Sequence, residues 1–423
     1  MQSLWLSFAF AAVLLLTAML KFWLALRQMK HVAAHRAAVP AAFAATVPLA
    51  VHQKAADYTL ARSRLGLVSL ALGTAVLLGW TLLGGLEALN DLVRDAIRPR
   101  WGDMTYQLAL LSAATLIGAL LDVPLDLYST FRVEQRFGFN RITLRLYLTD
   151  AVKALLVGAL IGLPMAALVL WLMASAGAWW WLWAWVAWVA FQLLLLVLYP
   201  TVIAPLFNKF EPLSDESLKQ RVQALMLRCG FAAKGLFVMD GSRRSAHSNA
   251  YFTGLGAAKR VVFFDTLLAR LSPGEVVAVL AHELGHFRLR HVPKRMVLIF
   301  GLSLVALALL GWLSQQQWFY SGLGVTPNLT AANDALALLL FTLALPPISF
   351  LLLPLASRMS RRHEFEADAY ACAQASGRDL ANALLKLHED NAGTLTPDPL
   401  FARFYYSHPP ASERLAALTL EPA

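Results

Sequence analysis

His282-Glu283-Leu284-Gly285-His286 stands just before one long apolar segment, and Glu364-Phe365-Glu366-Ala367-Asp368 stands just after another. The first run is H-E-x-x-H. On a helix, residues four apart share a face, so His282 and His286 can point at one metal ion. Glu283 lies beside that face, within reach of a water held there. The second run can supply a third, oxygen ligand from another helix. Glu364 and Asp368 are four apart, so Glu364 as ligand brings along Asp368 as a carboxylate able to orient a ligating histidine. Glu366, two residues on, is the alternative third ligand. Two histidines, a carboxylate and a water form the open coordination sphere of a catalytic zinc site, not the closed one of a structural site. The expectation is one zinc ion per chain, with Glu283 as general base.

Composition says where this chemistry sits. Of 423 residues, 58% are hydrophobic and only 15% charged, against about 25% charged in soluble domains. The chain reads as an integral membrane protein. Cys229 and Cys372 are its only cysteines, too few for a disulfide framework or a cysteine zinc site. The net charge of +10 belongs to loops held on the cytoplasmic side of a membrane. No basic-aromatic motif accompanies it, so nucleic acid is not an expected partner.

Seven stretches approach the roughly 20 apolar residues that cross a bilayer: 4–26, 65–86, 106–127, 154–174, 178–202, 296–313 and 335–355. Met1 to Trp5 carries no basic side chain, while Arg27, Lys30, His31 and Arg36 follow the first stretch. That pattern fits an uncleaved span with its N-terminus outside rather than a signal peptide. The segment after span three holds Arg132, Arg136, Arg141 and Arg145. The one after span five holds Lys209, Lys219, Arg221, Arg228, Lys234, Arg243 and Arg244. The loops read on the opposite side, such as 90–105, are mixed or nearly uncharged. Seven spans then put H-E-x-x-H and the Glu364 run together on the cytoplasmic side.

The chain accordingly divides into a membrane region 1–202, a catalytic segment 203–295, two further spans in 296–356 and a second catalytic segment 357–423. Within the first catalytic segment, 215–229 reads as an amphipathic helix. Leu236 to Met239, 249–253 and 261–264 read as short strands, the second ended by Gly254. Ser272-Pro273-Gly274-Glu275 is a capping box with proline at the first helical position. It starts a helix ten residues before His282, the context the metal motif requires.

The runs His282 to His286, Ser360-Arg361-Arg362-His363-Glu364-Phe365-Glu366-Ala367-Asp368 and His247-Ser248-Asn249-Ala250-Tyr251-Phe252-Thr253-Gly254 together resemble the type I CAAX prenyl endopeptidase family. So do Ala204-Pro205-Leu206-Phe207-Asn208-Lys209-Phe210, Glu134-Gln135-Arg136-Phe137-Gly138-Phe139-Asn140, and His408-Pro409-Pro410 with Arg414. These are integral-membrane zinc proteases that mature prenylated a-factor and prelamin. The resemblance covers nearly the whole chain. It implies a mainly α-helical protein, with seven transmembrane helices around a chamber. A gluzincin-type zinc protease domain with a small β-sheet closes the chamber on the cytoplasmic side. It also implies that peptide lies along the strand carrying Asn249, Ala250 and Tyr251, by strand addition. His408 and Arg414 match positions that face the active site, where they either stabilise the oxyanion or anchor the tail.

The expected function is a zinc-dependent membrane endopeptidase whose partners are the lipid bilayer and peptide or protein substrates. Two substrate classes compete: prenylated CAAX C-termini, and damaged membrane proteins, as in the heat-shock membrane protease family with no prenyl requirement. The terminal Glu421-Pro422-Ala423 carries no retrieval signal, which favours a bacterial inner membrane over the endoplasmic reticulum. A zinc transporter would place its histidines in mid-span, whereas His286 precedes span six by ten residues. His291, His363 and His388 are read as neighbours of the ligands or as surface residues, and Lys21, Asp122 and Asp126 as span-end charges with no catalytic part.

Overall fold

The computed structural model describes residues 1–231, 235–253 and 260–418. Lys234, Gly254 and the terminal Glu421-Pro422-Ala423 therefore lie outside the described residues. The membrane part is built from α1 (Gln2–Ala34), α2 (Leu49–Trp80), α3 (Gly85–Tyr128), α4 (Leu144–Ser175) and α5 (Trp180–Leu198). After these come β1 (Phe210–Pro212), α6 (Glu216–Arg228), β2 (Leu236–Met239), β3 (Ala250–Thr253), β4 (Arg260–Phe264) and α7 (Pro273–Arg288). The rest is α8 (His291–Leu313), α9 (Asp334–Phe350), α10 (Leu353–Gln374), α11 (Gly377–Asp390), α12 (Pro399–Tyr405) and α13 (Ala411–Ala417).

Among the described residues, six helices are long and apolar enough to cross a bilayer, or seven if α9 and α10 count as one span bent by 64°. Their outer faces carry exposed Leu155, Leu156 and Leu160, the last 76% accessible, which lipid covers in place of water. The interior side chains Leu86, Tyr106, Leu110, Leu170, Leu310 and Leu340 are buried together.

Three boundaries differ from the sequence reading. The stretch 65–86 does not run through: α2 ends at Trp80, and Gly84, at φ 79°, turns the chain into α3. Leu82 and Leu83 are apolar but sit in that turn. The expected loop 90–105 is helical, interrupted at Gly102 by φ 76° and ψ 178° after Pro99. The seventh stretch breaks after Pro346-Pro347, where α9 gives way to α10. Proline removes a backbone donor and crowds the preceding turn, and after the bend α10 packs against α7.

The four strands form one sheet in the order β1-β2-β4-β3. β1 pairs antiparallel with β2, β2 parallel with β4, and β3 antiparallel with β4. β3 is thus an edge strand among the described residues. α6, capped by Asp215, packs Val222 and Leu225 into a core shared with Phe263 and Leu267 beside the sheet and Ala281 and Leu284 of α7. Each such fully buried side chain contributes about 1.5–3 kcal/mol.

The motifs flanking the membrane part tie it to this core. Arg244 donates to both Asp150 oxygens, at 2.9 and 3.1 Å, and to Phe207 O and Asn208 Oδ1. Tyr58 donates to Glu134 at 2.7 Å, and His247 stacks on Phe139 with ring centroids 4.5 Å apart. Between α1, α2 and the C-terminal segment lies a cavity of about 780 Å³. It shares Arg62, Asn391 and Gly393 in its wall with a second cavity of about 640 Å³ beside α7.

α7 starts at the capping box read from sequence: Ser272 N donates to Glu275 Oε2 at 2.7 Å and Glu275 N to Ser272 Oγ at 3.4 Å. Lys386 of α11 reaches the same Glu275 oxygen at 2.7 Å. Burial pushes the Glu275 carboxyl up, but Lys386 and Ser272 outweigh it and hold it below its ordinary value of 4.5. A carboxyl lowered in the folded state stabilises fully above its unfolded value and loses that contribution as pH falls through the folded one. Glu275→Ala should therefore cost about 1–2 kcal/mol near neutrality. Thermal melts of the detergent-solubilised protein should show the gap to wild type closing below about pH 4; an equal gap at both pH values would contradict this.

Candidate metal centre

Close approach of α7 and α10 makes the site. A Cβ added to Gly285 would lie 3.0 Å from Ala367 Cα and 3.1 Å from its carbonyl oxygen, so a bare glycine lets the two backbones meet. One turn along each helix, His282, His286 and Glu364 then converge. His282 Nε2 lies 3.2 Å from His286 Nε2. Each of these nitrogens is 3.4 Å from an oxygen of Glu364.

Those separations test whether a metal fits. Two ligands about 2.1 Å from a tetrahedral zinc ion sit about 3.4 Å apart, close to the 3.2 Å between the two histidine nitrogens and the 3.4 Å from each to its own Glu364 oxygen, Oε2 for His282 and Oε1 for His286. The donor set agrees. Asp368 Oδ1 takes the Nδ1 proton of His282 at 2.8 Å, which turns the Nε2 lone pair toward Glu364. Glu364 Oε2 is buried and makes no hydrogen bond among the described residues. Lone pairs facing one another at this range call for a cation between them.

His286 is oriented by a different relay. Its Nδ1 is 3.0 Å from Nδ1 of His291, whose Nε2 is 3.0 Å from Glu366 Oε2. A carboxylate only accepts, so neutral His291 carries its proton on Nε2 and receives the Nδ1 proton of His286. This leaves the His286 Nε2 lone pair on the side of Glu364. The turn that folds His291 back rests on Arg290, a non-glycine residue at φ 57°. Glu366, the alternative ligand in the sequence reading, is engaged by His291 and by Arg362, the latter at 2.9 Å. It lies outside the cluster formed by His282, His286 and Glu364. The sequence reading left His291 as either a neighbour of the ligands or a surface residue; it is buried and contacts His286.

Arg414 lies behind the centre. It grips Asp368 with two donors, at 2.8 and 2.5 Å, and its Nη1 is 3.7 Å from Glu364 Oε2. His408 Nε2 is 3.4 Å from Glu364 Oε1, on a side chain 64% exposed. Glu283, His282, His408, Arg414, Asn249 and Ala250 all line the 640 Å³ cavity. Tyr251 stands outside that lining, with its hydroxyl 4.0 Å from Met239 Sδ and burial pushing it up to about 12.

The electrostatics follow from burial and charge. Burial opposes protonation of His282, but Asp368 and Glu364 prevail and raise it to about 9. Burial raises the Glu283 carboxyl, and the neighbouring His282 and His286 oppose it. A raised carboxyl suits a general base working near neutrality.

His291→Phe should keep the ring volume but remove the acceptor for His286, lowering zinc affinity about 10–100-fold. Competition with a chromophoric chelator measures it; unchanged affinity would show that the relay does not orient His286.

Known proteins are similar to this chain over most of its length. Residues 28–209 match the family described as CAAX prenyl protease N-terminal, five membrane helices, and residues 212–421 match peptidase family M48. CAAX prenyl protease 1 of Saccharomyces cerevisiae is 36% identical over 327 residues, covering 74% of this chain and 72% of the yeast protein. The CAAX prenyl protease 1 homolog of Mus musculus is 33% identical over 97% of this chain and 95% of its own length. The crystal structure of S. mikatae Ste24p superposes with a TM-score of 0.91 at 31% identity, covering 98% of this chain and 99% of that one. The chain belongs to the CAAX prenyl protease 1 family within peptidase family M48, and is a multi-pass membrane zinc endopeptidase.

Proposed function

We propose that this member of the family holds one zinc ion on His282, His286 and Glu364 and cleaves peptides bearing prenylated CAAX C-termini. The observation that carries the reading is the convergence of those three side chains, with nitrogen and oxygen atoms 3.2–3.4 Å apart, beside a cavity lined by His282 and Glu283. A bound zinc ion supplies Lewis acidity toward the scissile carbonyl and lowers the pKa of the attacking water. Glu283 takes the proton from that water and passes it to the leaving amine. Asp368 fixes the ring of His282, and Arg414, with two donors spent on Asp368, acts as a positioning residue. His408, largely exposed with its Nε2 3.4 Å from Glu364 Oε1, is the side chain placed to meet an oxyanion.

The peptide adds to the outer edge of β3, the last strand of the sheet order, beside Asn249 and Ala250, which line the cavity. Strand addition reads backbone and tolerates varied side chains. The chamber contiguous with the site has room for an apolar chain. The basic segments between spans support an active site facing the cytoplasm. In that reading 203–295 and 357–423 form the catalytic part, and 1–202 with 296–356 the membrane part.

Relatives across eukaryotes are named CAAX prenyl protease 1 or its homolog, so a quality-control protease with no prenyl requirement is not favoured. Cleavage of a farnesylated CAAX peptide beside its unprenylated twin tests this. The lipidated peptide alone should be cut, and Glu283→Gln should abolish cutting while zinc stays near one per chain. Equal cleavage of both peptides, or turnover by the variant, would contradict the reading.

A further inference from the structure

We infer that Arg62, at the junction of the two cavities, is the receptor for the C-terminal carboxylate of the substrate peptide. The inference rests on the reading of that substrate as a CAAX C-terminus. Such a peptide ends in a free carboxylate three residues beyond the lipid-bearing cysteine, about 10 Å along an extended chain. A carboxylate that enters a cavity away from bulk water needs a cation and its donors in place of the lost hydration.

The cavity walls offer few such cations. Among the described residues, no aspartate or glutamate lines the larger cavity, whereas Lys21 and Arg62 do. In the cavity beside α7, Glu283 is the one carboxylate of the wall, and Arg62 and Arg414 are its arginines. Arg414 is spent on Asp368. Lys21 holds its ammonium over the Phe350 ring, 4.7 Å from the centroid, and lines the larger cavity only. Arg62 lines both. It projects from α2 with an exposed side chain, its Cζ 5.5 Å from the centroid of the Tyr58 ring, and makes no ion pair among the described residues. Glu134, an acid that feels its charge, lines neither cavity and is taken up by Tyr58 at 2.7 Å and His247 Nε2 at 3.6 Å. A planar guanidinium left in this way matches a carboxylate with two parallel hydrogen bonds.

An anchored C-terminus sets the register of cleavage. Peptide bonds within about 10 Å of Arg62 are the ones presented to His282 and Glu283 on the wall of the same cavity. An internal stretch of a longer chain brings no carboxylate to that point. Strand addition at β3 reads main chain wherever it lies in a sequence, so Arg62 supplies the preference for a chain end that strand addition lacks.

The test uses the full chain in detergent, in the non-cleaving Glu283→Gln form. Fluorescence anisotropy measures binding of farnesylated CAAX peptides, labelled at the N-terminus, that end in either the free acid or an amide. The acid should bind at least about tenfold more tightly, the scale of one charge-assisted pair. Adding Arg62→Gln should bring that ratio to about one, and Arg62→Lys, which keeps the charge but not the fork, should leave it in between. Lys21→Gln removes a cation from the larger cavity and should leave the ratio as it was. Equal binding of acid and amide with Arg62 in place would overturn the inference. So would a ratio that survives Arg62→Gln or disappears in Lys21→Gln. An unprenylated acid and amide, bound alongside and also offered to wild type for cleavage, separate this from the proposed function: if they behave like the farnesylated pair, the prenyl requirement fails while the acid-to-amide ratio still decides the role of Arg62.

Discussion

The contact of Gly285 with the backbone of Ala367 is the constraint on which the rest depends. A metal ion needs donors from two helices within about 3.4 Å of each other, and the distance between helix axes, ordinarily about 8–10 Å, is set by the side chains at their contact. A glycine at the crossing removes the side chain that would hold α7 and α10 apart. The proline-bent junction between α9 and α10 aims the second helix at that crossing, and the capping box fixes where the first begins. Buried Leu284 and Ala281 then hold α7 against the small sheet.

Around the donors, each histidine has its own support. Arg414 and Asp368 hold His282 from the C-terminal segment, while Glu366 and His291 hold His286 from the start of α8. The two supports differ in kind. The first ends in a guanidinium that is always protonated. The second runs through the imidazole of His291 to the carboxylate of Glu366. The cavity beside α7 adjoins a second one among α1, α2 and the C-terminal segment, Arg62, Asn391 and Gly393 bordering both.

Much of this was legible in the chain because local chemistry dictated it. Ser272 and Glu275 announce the start of α7, the helical period puts His282 beside His286 and Glu364 beside Asp368, and the β-branched run Arg260–Phe264 forms its strand. The motifs quoted at Glu134 and at His247 meet in space through Phe139 and Tyr58. Other features depended on tertiary partners and left no local trace. β1 ends on Pro212 and exists because β2 offers it an edge. Hydropathy ran 65–86 together because Leu82 and Leu83 are apolar even in a turn. The helical state of 90–105 reflects packing against the neighbouring helices, where its polar residues suggested a loop. His291 acquires its place only through the left-handed turn at Arg290, and Arg414 only through the docking of α13.

X-ray absorption at the zinc edge of the purified full-length protein probes the central claim most directly. The account predicts one zinc with four nitrogen or oxygen neighbours near 2.0–2.1 Å, two of them showing imidazole multiple scattering, and loss of this shell in Glu364→Ala. A sulfur neighbour near 2.3 Å, or a shell unchanged by that substitution, would contradict it.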